Sequence, residues 1–124
     1  MFAELKTKEL HLYGKTAELN AVARSIHKGR HGASASFDLC SSTSLFSTLH
    51  TRCHGKLATI EIIESEIYIN YSESVKNHLY TYFSMPSDTQ PGALFSLNHS
   101  SRDDPSLLAD SSLELIIHVI SSKI

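Results

Sequence analysis

Two segments of the chain follow the same residue pattern, and this internal repeat is the feature that most constrains the fold. Residues 2–5 (FAEL) correspond to residues 59–62 (TIEI), and residues 9–12 (ELHL) correspond to residues 66–69 (EIYI). Within each segment apolar residues alternate with polar or aromatic ones, and this period of two predicts half-buried β-strands. The pattern therefore predicts the same β-hairpin twice, each with a two-residue turn.

The elements that follow each hairpin are also repeated. A helical pattern is followed by a strand that begins with Gly-Ala and then by a second strand. The first copy comprises TAELNAVARSIHKG, GASASFDL and SLFSTLHTR, and the second comprises SESVKNHLYTYFSM, GALFSLNH and SLELIIHVI. In the last pair of strands, the alignment matches Leu49 with Ile117 and His50 with His118.

This order predicts an α+β fold of two tandem ββαββ units, about residues 1–54 and 56–120, within a single domain. We expect the strands to form a largely antiparallel sheet with both helices packed on one face. A length of 124 residues supports one hydrophobic core but not two independent ones. The last strand is apolar on both sides, which indicates a central position in the sheet or a subunit contact.

The charge and hydropathy of the chain argue against several classes of function. A net charge of −2 and a pI of about 6.4 provide no basic surface for a phosphate backbone, so we expect no nucleic-acid partner. No apolar run approaches the roughly 20 residues of a membrane span, and residues 1–10 lack the apolar region of a signal peptide. Two cysteines do not make a disulfide framework, so we expect a cytoplasmic protein with reduced thiols.

The two-residue turns determine which side chains lie opposite each other in the hairpins. In this register Glu4 lies opposite His11, and Glu61 lies opposite Tyr68. The outward face is then acidic and bears aromatic side chains in both copies. Tyrosine is enriched at binding hot spots and an acidic surface complements a basic partner, although both residue types are also common on solvated sheet faces.

Two groups of residues are candidates for a metal site, because zinc binds imidazole and thiolate ligands. His50, Cys53 and His54 lie close together in the sequence, and His27 and His31 flank the end of the first helical pattern. Neither group has the second half of a paired zinc signature. We therefore favour exposed histidines at a turn and expect no metal or other cofactor.

The segment NHSSRDDPSLLADSS, residues 98–112, takes the place of a tight turn at residues 40–43 in the first unit. Its side chains could form an acid/base or metal cluster, with a solvated turn as the alternative. The ionisable residues concerned are His99, Asp103, Asp104 and Asp110. A long loop in one repeat of a duplicated scaffold is where a specific site would develop, and we expect protein contact here rather than catalysis.

Three stretches of the second half, EIYINYSESVKNHLYTY, GALFSLNH and DSSLELIIHVI, occur in this order within residues 56–120. Together they resemble the immunity protein 32 family, small bacterial proteins encoded beside polymorphic toxins. The resemblance implies a non-enzymatic protein that binds a cognate toxin and blocks its active site. No Gly-rich phosphate loop, G-x-S-x-G elbow or H-E-x-x-H motif occurs in the sequence, which agrees with a non-enzymatic role.

We expect such a toxin to have a basic active-site surface that meets the acidic, tyrosine-bearing face and the long loop. The expected contact residues are Glu61, Glu66, Tyr68, His99, Arg102, Asp103, Asp104 and Asp110. Two alternatives stay open. One is a small enzyme or metal-binding protein that uses the His/Cys or His/Asp clusters, and the other is a ligand-binding regulatory homodimer joined through the sheet.

Overall fold

The computed structural model describes residues 1–39, 46–55, 57–86, 88–97, 108–109 and 112–120. The first half contains β1 (Phe2–Lys6), β2 (Glu9–Gly14), α1 (Thr16–His27), β3 (Ser34–Asp38) and β4 (Thr48–Cys53). The second half contains β5 (Thr59–Ile63), β6 (Glu66–Tyr71), α2 (Lys76–Phe83), β7 (Leu94–Leu97) and β8 (Glu114–Val119). The predicted α+β class and the ββαββ order of both halves are confirmed.

The strands divide between two four-stranded sheets, so the single, largely antiparallel sheet expected from the sequence is wrong. Sheet A has the order β1-β2-β8-β7, and sheet B has the order β3-β4-β6-β5. In both sheets the outer pairs are antiparallel, whereas the central pairs β2–β8 and β4–β6 are parallel. The division arises because each half contributes its first hairpin to one sheet and its last two strands to the other.

The parallel central pairs join the two halves of the chain. β8 lies between β2 and β7, so the central position predicted for the last strand is confirmed. Parallel neighbours cannot be connected by a tight turn, and here each parallel partner comes from the opposite half. Both sheets therefore require strands from both repeats.

The hairpins have the register expected from the sequence. Glu4 lies opposite His11, and Glu61 lies opposite Tyr68. In both turns the first residue has a positive φ angle, 55° at Thr7 and 58° at Glu64. A positive φ at the first central residue is the conformation of a type II′ turn, whose twist matches that of the flanking strands.

The structure matches the residues of the last strand in each half differently from the sequence alignment. β4 and β8 occupy the same place in their sheets, where His50 corresponds to Ile116 and Arg52 corresponds to His118. The alignment of His50 with His118 is therefore wrong by two residues. A shift of two residues keeps every side chain on the same face of a strand, so the hydrophobic pattern does not reveal the error.

One hydrophobic cluster takes in the inward side chains of both sheets and the buried faces of both helices. The buried stripe of α1 consists of Leu19, Val22, Ala23 and Ile26. The spacing of three and four residues places these side chains on one face. α2 buries Leu79 and Phe83 and ends before Pro86. No helix in the described ranges is long and apolar enough to cross a membrane.

The two helices pack on each other, and α1 also contacts strands of both sheets. The side chain of Asn20 on α1 accepts a hydrogen bond from the backbone N–H of Met85 at 2.7 Å and donates one to its carbonyl at 2.9 Å. These bonds attach the segment after α2 to α1. The helix pair therefore ties the two repeats together independently of the sheets.

Candidate functional site

Three predicted contact residues, Glu61, Glu66 and Tyr68, lie together on one face of sheet B. Glu61, Tyr68, His50 and Ser36 form a row across β5, β6, β4 and β3, each directly opposite the next. Glu66 lies two residues before Tyr68 on β6 and therefore on the same side of the sheet. We call this surface the outer face of sheet B, because the alternate residues of its strands point into the core.

Tyr68 lies at the centre of this face and contacts two side chains of β4. The imidazole of His50 stacks on its ring, with the centroids 4.6 Å apart and the planes 15° from parallel. The guanidinium carbon of Arg52 lies 4.2 Å from the centroid of the same ring. Ring stacking and the cation–π contact both restrict the rotamer of Tyr68.

Arg52, Asn70 and Glu61 form a closed set of hydrogen bonds beside Tyr68. Arg52 Nε donates to Asn70 Oδ1 at 2.7 Å, and Arg52 Nη2 donates to Glu61 Oε1 at 3.3 Å. Asn70 Nδ2 donates to the same Glu61 oxygen at 3.0 Å. Because Asn70 is only 5% exposed, these bonds offset the cost of burying its amide.

Ser36, His50 and Glu66 form a second set of hydrogen bonds, which we call the triad. His50 Nε2 lies 2.7 Å from Glu66 Oε1, and His50 Nδ1 lies 2.8 Å from Ser36 Oγ. Since a carboxylate only accepts hydrogen bonds, Nε2 bears the proton, and Nδ1 of a neutral imidazole then accepts from the Ser36 hydroxyl. The imidazole is therefore held in one tautomer between a carboxylate and a hydroxyl.

The charged side chains of this face are ordered but remain accessible. The side chains of Glu61 and Glu66 are 41% and 38% exposed, and that of Arg52 is 34% exposed. Glu61 pairs with Arg52, whereas Glu66 pairs with His50, which is charged only when its imidazole is protonated. The face combines rigid geometry with a modest negative charge.

An open groove of 360 Å³ lies at one end of the outer face of sheet B. Its lining residues are His54, Gly55, Leu57, Thr59, Glu61, Asn70 and Ala109. Glu61 and Asn70 belong both to this groove and to the hydrogen bonds around Tyr68. The groove therefore extends the outer face rather than forming a separate site.

Five of the predicted contact residues lie outside the described residues: His99, Arg102, Asp103, Asp104 and Asp110. The described residues nearest to Asp110 do contact sheet B. The backbone N–H of Ala109 donates to Ala58, and the Ser112 hydroxyl accepts from Ile60 N–H at 2.7 Å. Ser112 therefore lies beside β5, and Ala109 lies beside Ala58, the residue that precedes β5.

The outer face of sheet A has a different composition at the equivalent positions. The ring of Tyr13 stacks on Phe2 and on His118, at centroid distances of 4.5 and 4.2 Å. His118 also shares a 2.8 Å hydrogen bond with His11. Burial, followed by the neighbouring imidazole of His11, lowers the pKa of His118. Tyr13 and His118 of this stack take the places of Asn70 and Arg52, whereas Glu4 occupies the place of Glu61.

The His/Cys cluster that was a candidate metal site is not assembled. His50 is on the outer face of sheet B, whereas Cys53 points into the core and is 1% exposed. Residues an odd number of positions apart on a strand face opposite sides, which explains the separation. Burial raises the pKa of the Cys53 thiol, which is free. Among the described residues, no group of three or more His, Cys, Asp or Glu side chains is placed to hold a metal ion.

Three residues of the outer face were not expected there from the sequence: Ser36, His50 and Arg52. Arg52 and His50 reach Tyr68 only because β4 pairs in parallel with β6, a pairing between distant parts of the chain. The local signal was present, since Thr48, His50 and Arg52 alternate with buried side chains along β4. Without the strand order this alternation could not be assigned to a face shared with Tyr68.

Comparison of the chain with family models, with curated proteins and with solved structures found no match in any of the three. The function must therefore be inferred from the geometry of the chain itself.

Proposed function

We propose that the protein is an immunity protein that binds a toxin protein and neutralises it by covering the toxin's active site. The contact surface in this proposal is the outer face of sheet B. The observation that supports it best is the position of Tyr68, central on this face and in contact with both His50 and Arg52. Tyrosine and arginine are among the residue types enriched at binding hot spots, which cluster near the centre of an interface.

The hydrogen bonds around Tyr68 support binding by a preformed surface. Arg52 is fixed by Asn70 and Glu61, and His50 is fixed by Ser36 and Glu66. Side chains that are already ordered lose less conformational entropy when a partner binds. Such preorganisation favours tight binding without a large buried area.

The shape and charge of the face favour a protein partner over a small molecule. Small ligands are usually enclosed in pockets lined by apolar side chains. The outer face is instead an open row of polar and aromatic side chains across four strands, with an open groove at its end. The exposed carboxylates of Glu61 and Glu66 would meet a basic surface, as an active site that binds an acidic substrate provides.

The resemblance to the immunity protein 32 family supports the same role. The stretches that carry the resemblance include Glu66 and Tyr68 and the strand that follows the 98–112 segment. In the structure the end of that segment hydrogen-bonds to β5 of the hairpin that contains these two residues. The proposal requires no cofactor.

The repeat supplies a matched control for the test. Glu4 and Glu9 occupy in the first hairpin the positions that Glu61 and Glu66 occupy in the second. Tagged wild-type protein, the variant Glu61→Ala/Glu66→Ala and the variant Glu4→Ala/Glu9→Ala are used to capture partners from cells of the native host, and the captured proteins are identified by mass spectrometry. The gene of any captured partner is then expressed with and without each variant.

We expect one partner at near-equal stoichiometry with wild type and with Glu4→Ala/Glu9→Ala, and its loss with Glu61→Ala/Glu66→Ala. Expression of that partner alone should stop growth, and co-expression of wild type should restore it. A partner that is harmless when expressed alone would contradict the neutralising role. Equal capture by all three proteins would contradict the assignment of the outer face of sheet B.

A further inference from the structure

We propose that Ser36 is a nucleophile and that the triad hydrolyses small, unhindered esters. This activity goes beyond the proposed toxin-binding function, because it acts on a free ester and needs no protein partner. It is inferred from the placement of a serine hydroxyl, an imidazole and a carboxylate on adjacent strands. The same three group types activate the nucleophile of serine hydrolases on several unrelated folds.

The distances satisfy the geometric requirement of an activated nucleophile. Ser36 Oγ lies 2.8 Å from His50 Nδ1, within the range for a nucleophile and its general base. Glu66 Oε1 lies 2.7 Å from the other ring nitrogen, Nε2, as the orienting group of a triad does. In serine proteases Nε2 faces the serine and Nδ1 faces the carboxylate, whereas here Nδ1 faces Ser36 and Nε2 faces Glu66. The proton otherwise follows the same path.

The imidazole is held by rigid elements rather than by loops. Ser36, His50 and Glu66 lie on β3, β4 and β6, three neighbouring strands of sheet B. The ring of Tyr68 stacks on His50 and fixes its plane. Catalytic groups on strands are held more accurately than groups on loops, and accurate placement accounts for much of the rate advantage of intramolecular catalysis.

The position of β3 also supplies a donor for the negative oxygen that forms during ester attack. β3 is an edge strand of sheet B, and none of the described strands pairs with its open side. Just outside the two ends of β3, the N–H of Leu39 donates to the carbonyl of Ser47, and the carbonyl of Ala33 accepts from the N–H of Cys53. Because bonded residues alternate along a strand, the odd-numbered residues of β3 are the ones that bond to β4. By the alternation of an antiparallel ladder, the N–H of Ser36 points to the open edge. In serine proteases the N–H of the nucleophilic serine is one of the oxyanion donors.

The reaction follows two balanced steps. Ser36 Oγ attacks the carbonyl carbon of the ester while its proton moves to His50 Nδ1, and the bond to the alkoxy oxygen then breaks as His50 protonates that oxygen. The products are an alcohol and acyl-Ser36. A water molecule next attacks the acyl carbon, His50 takes its proton and returns it to Ser36 Oγ, and the acid is released. One ester and one water give one alcohol and one acid.

The surroundings of Ser36 limit the substrate class. Ser36 is exposed, and the groove at the end of the outer face does not include it. Without an enclosing pocket, binding of the ester contributes little to the rate, and the rate depends on the leaving group. Short acyl esters with a good leaving group, such as a phenol, are therefore the class we expect.

Ser34 provides the matched control. It is a second exposed serine of β3 and lies opposite Arg52 rather than opposite the imidazole of His50. Wild type, Ser36→Ala, Ser34→Ala and Glu66→Gln are tested with p-nitrophenyl acetate. The same proteins are incubated with a fluorophosphonate probe, which phosphonylates activated serines, and the modified residue is located by peptide mass spectrometry.

We expect one phosphonyl group per wild-type chain, on Ser36, and none on Ser34. Ser36→Ala should lower the rate of p-nitrophenyl acetate hydrolysis by at least ~100-fold, and Glu66→Gln should slow the labelling of Ser36 by a similar factor, because positioned acid–base groups contribute about 10²–10⁴. Ser34→Ala should behave as wild type. Folded wild-type protein that is not labelled at Ser36, or that is labelled equally fast in Glu66→Gln, would overturn the proposal.

Discussion

Gly29 lies directly against the hydroxyl group of Tyr71. A Cβ atom at residue 29 would be 1.8 Å from Tyr71 Oη and 2.8 Å from Cζ, so no side chain fits there without movement. The phenol is buried, which raises the pKa of Tyr71 to about 12, and its hydroxyl points toward the Ser25 carbonyl at 3.4 Å. This contact joins the end of α1 to the end of β6.

Gly29→Ala should therefore destabilise the protein by about 1–3 kcal/mol, the usual cost of overpacking a core. The free energy of unfolding in urea measures the effect. In a Tyr71→Phe background the same substitution should cost less, because the nearest clashing atom is absent. Equal costs in both backgrounds would show that the hydroxyl of Tyr71 does not restrict residue 29.

The second hairpin turn offers a stabilising substitution. Glu64 has a φ of 58°, a backbone conformation that glycine adopts without strain and other residues do not. We expect Glu64→Gly to raise the free energy of unfolding by about 0.5–1 kcal/mol, because type II′ turns favour glycine at this position. Ser65→Gly is the control, since the φ of Ser65 is not positive. Loss of stability with Glu64→Gly would contradict the turn assignment.

The imidazole pair on sheet A predicts a pH dependence of stability. Because the pKa of His118 in the folded protein lies below its ordinary value of 6.5, the unfolded chain binds a proton more readily than the folded one. The contribution of neutral His118 to the free energy of unfolding is therefore complete above pH 6.5 and is lost as the pH falls below that value. Urea midpoints measured between pH 8 and pH 5 should decline on the acid side.

The variant His118→Asn should reduce this decline, because the residue with the lowered pKa is removed. His54→Asn, which changes an exposed histidine, should retain it. If His118→Asn and wild type lose stability in parallel between pH 6.5 and pH 5, another group is responsible.

Asn70 is expected to stabilise the outer face of sheet B. It is 5% exposed and bonds to both Arg52 and Glu61. Asn70→Ala removes these bonds and should lower the free energy of unfolding by about 1–3 kcal/mol. The exposed Asn77 of α2 is the comparison, and Asn77→Ala should change stability by less than about 0.5 kcal/mol. Similar small effects for both variants would mean that the network adds no stability.

The local elements of this fold could be predicted from the sequence because their signals are local. The alternation around Leu10 and Ile67, with a two-residue turn in each hairpin, specified the register that the structure shows. The helix from Thr16 followed from one apolar stripe. The division into two sheets could not be predicted in the same way, because it depends on parallel pairing of strands that are far apart in the chain.

The candidate site was predictable to the same extent. Glu61, Glu66 and Tyr68 belong to one hairpin, so the period of two alone placed them on a common face. Arg52 and Ser36 join that face through β4 and β3, whose neighbours are decided by tertiary packing. A two-residue error in aligning the last strands left His50 matched with His118, although the corresponding residue is Ile116.

The central claim is that a toxin binds the outer face of sheet B with Tyr68 at the centre of the contact. The repeat offers a control of the same residue type, since Tyr13 is stacked on two neighbours on the outer face of sheet A. The dissociation constant of the purified partner is measured by titration calorimetry for wild type, Tyr68→Ala and Tyr13→Ala. We expect Tyr68→Ala to weaken binding by about 2 kcal/mol or more, roughly 30-fold, as loss of a hot-spot tyrosine does. Tyr13→Ala should bind as wild type, and an unchanged dissociation constant for Tyr68→Ala would contradict the account.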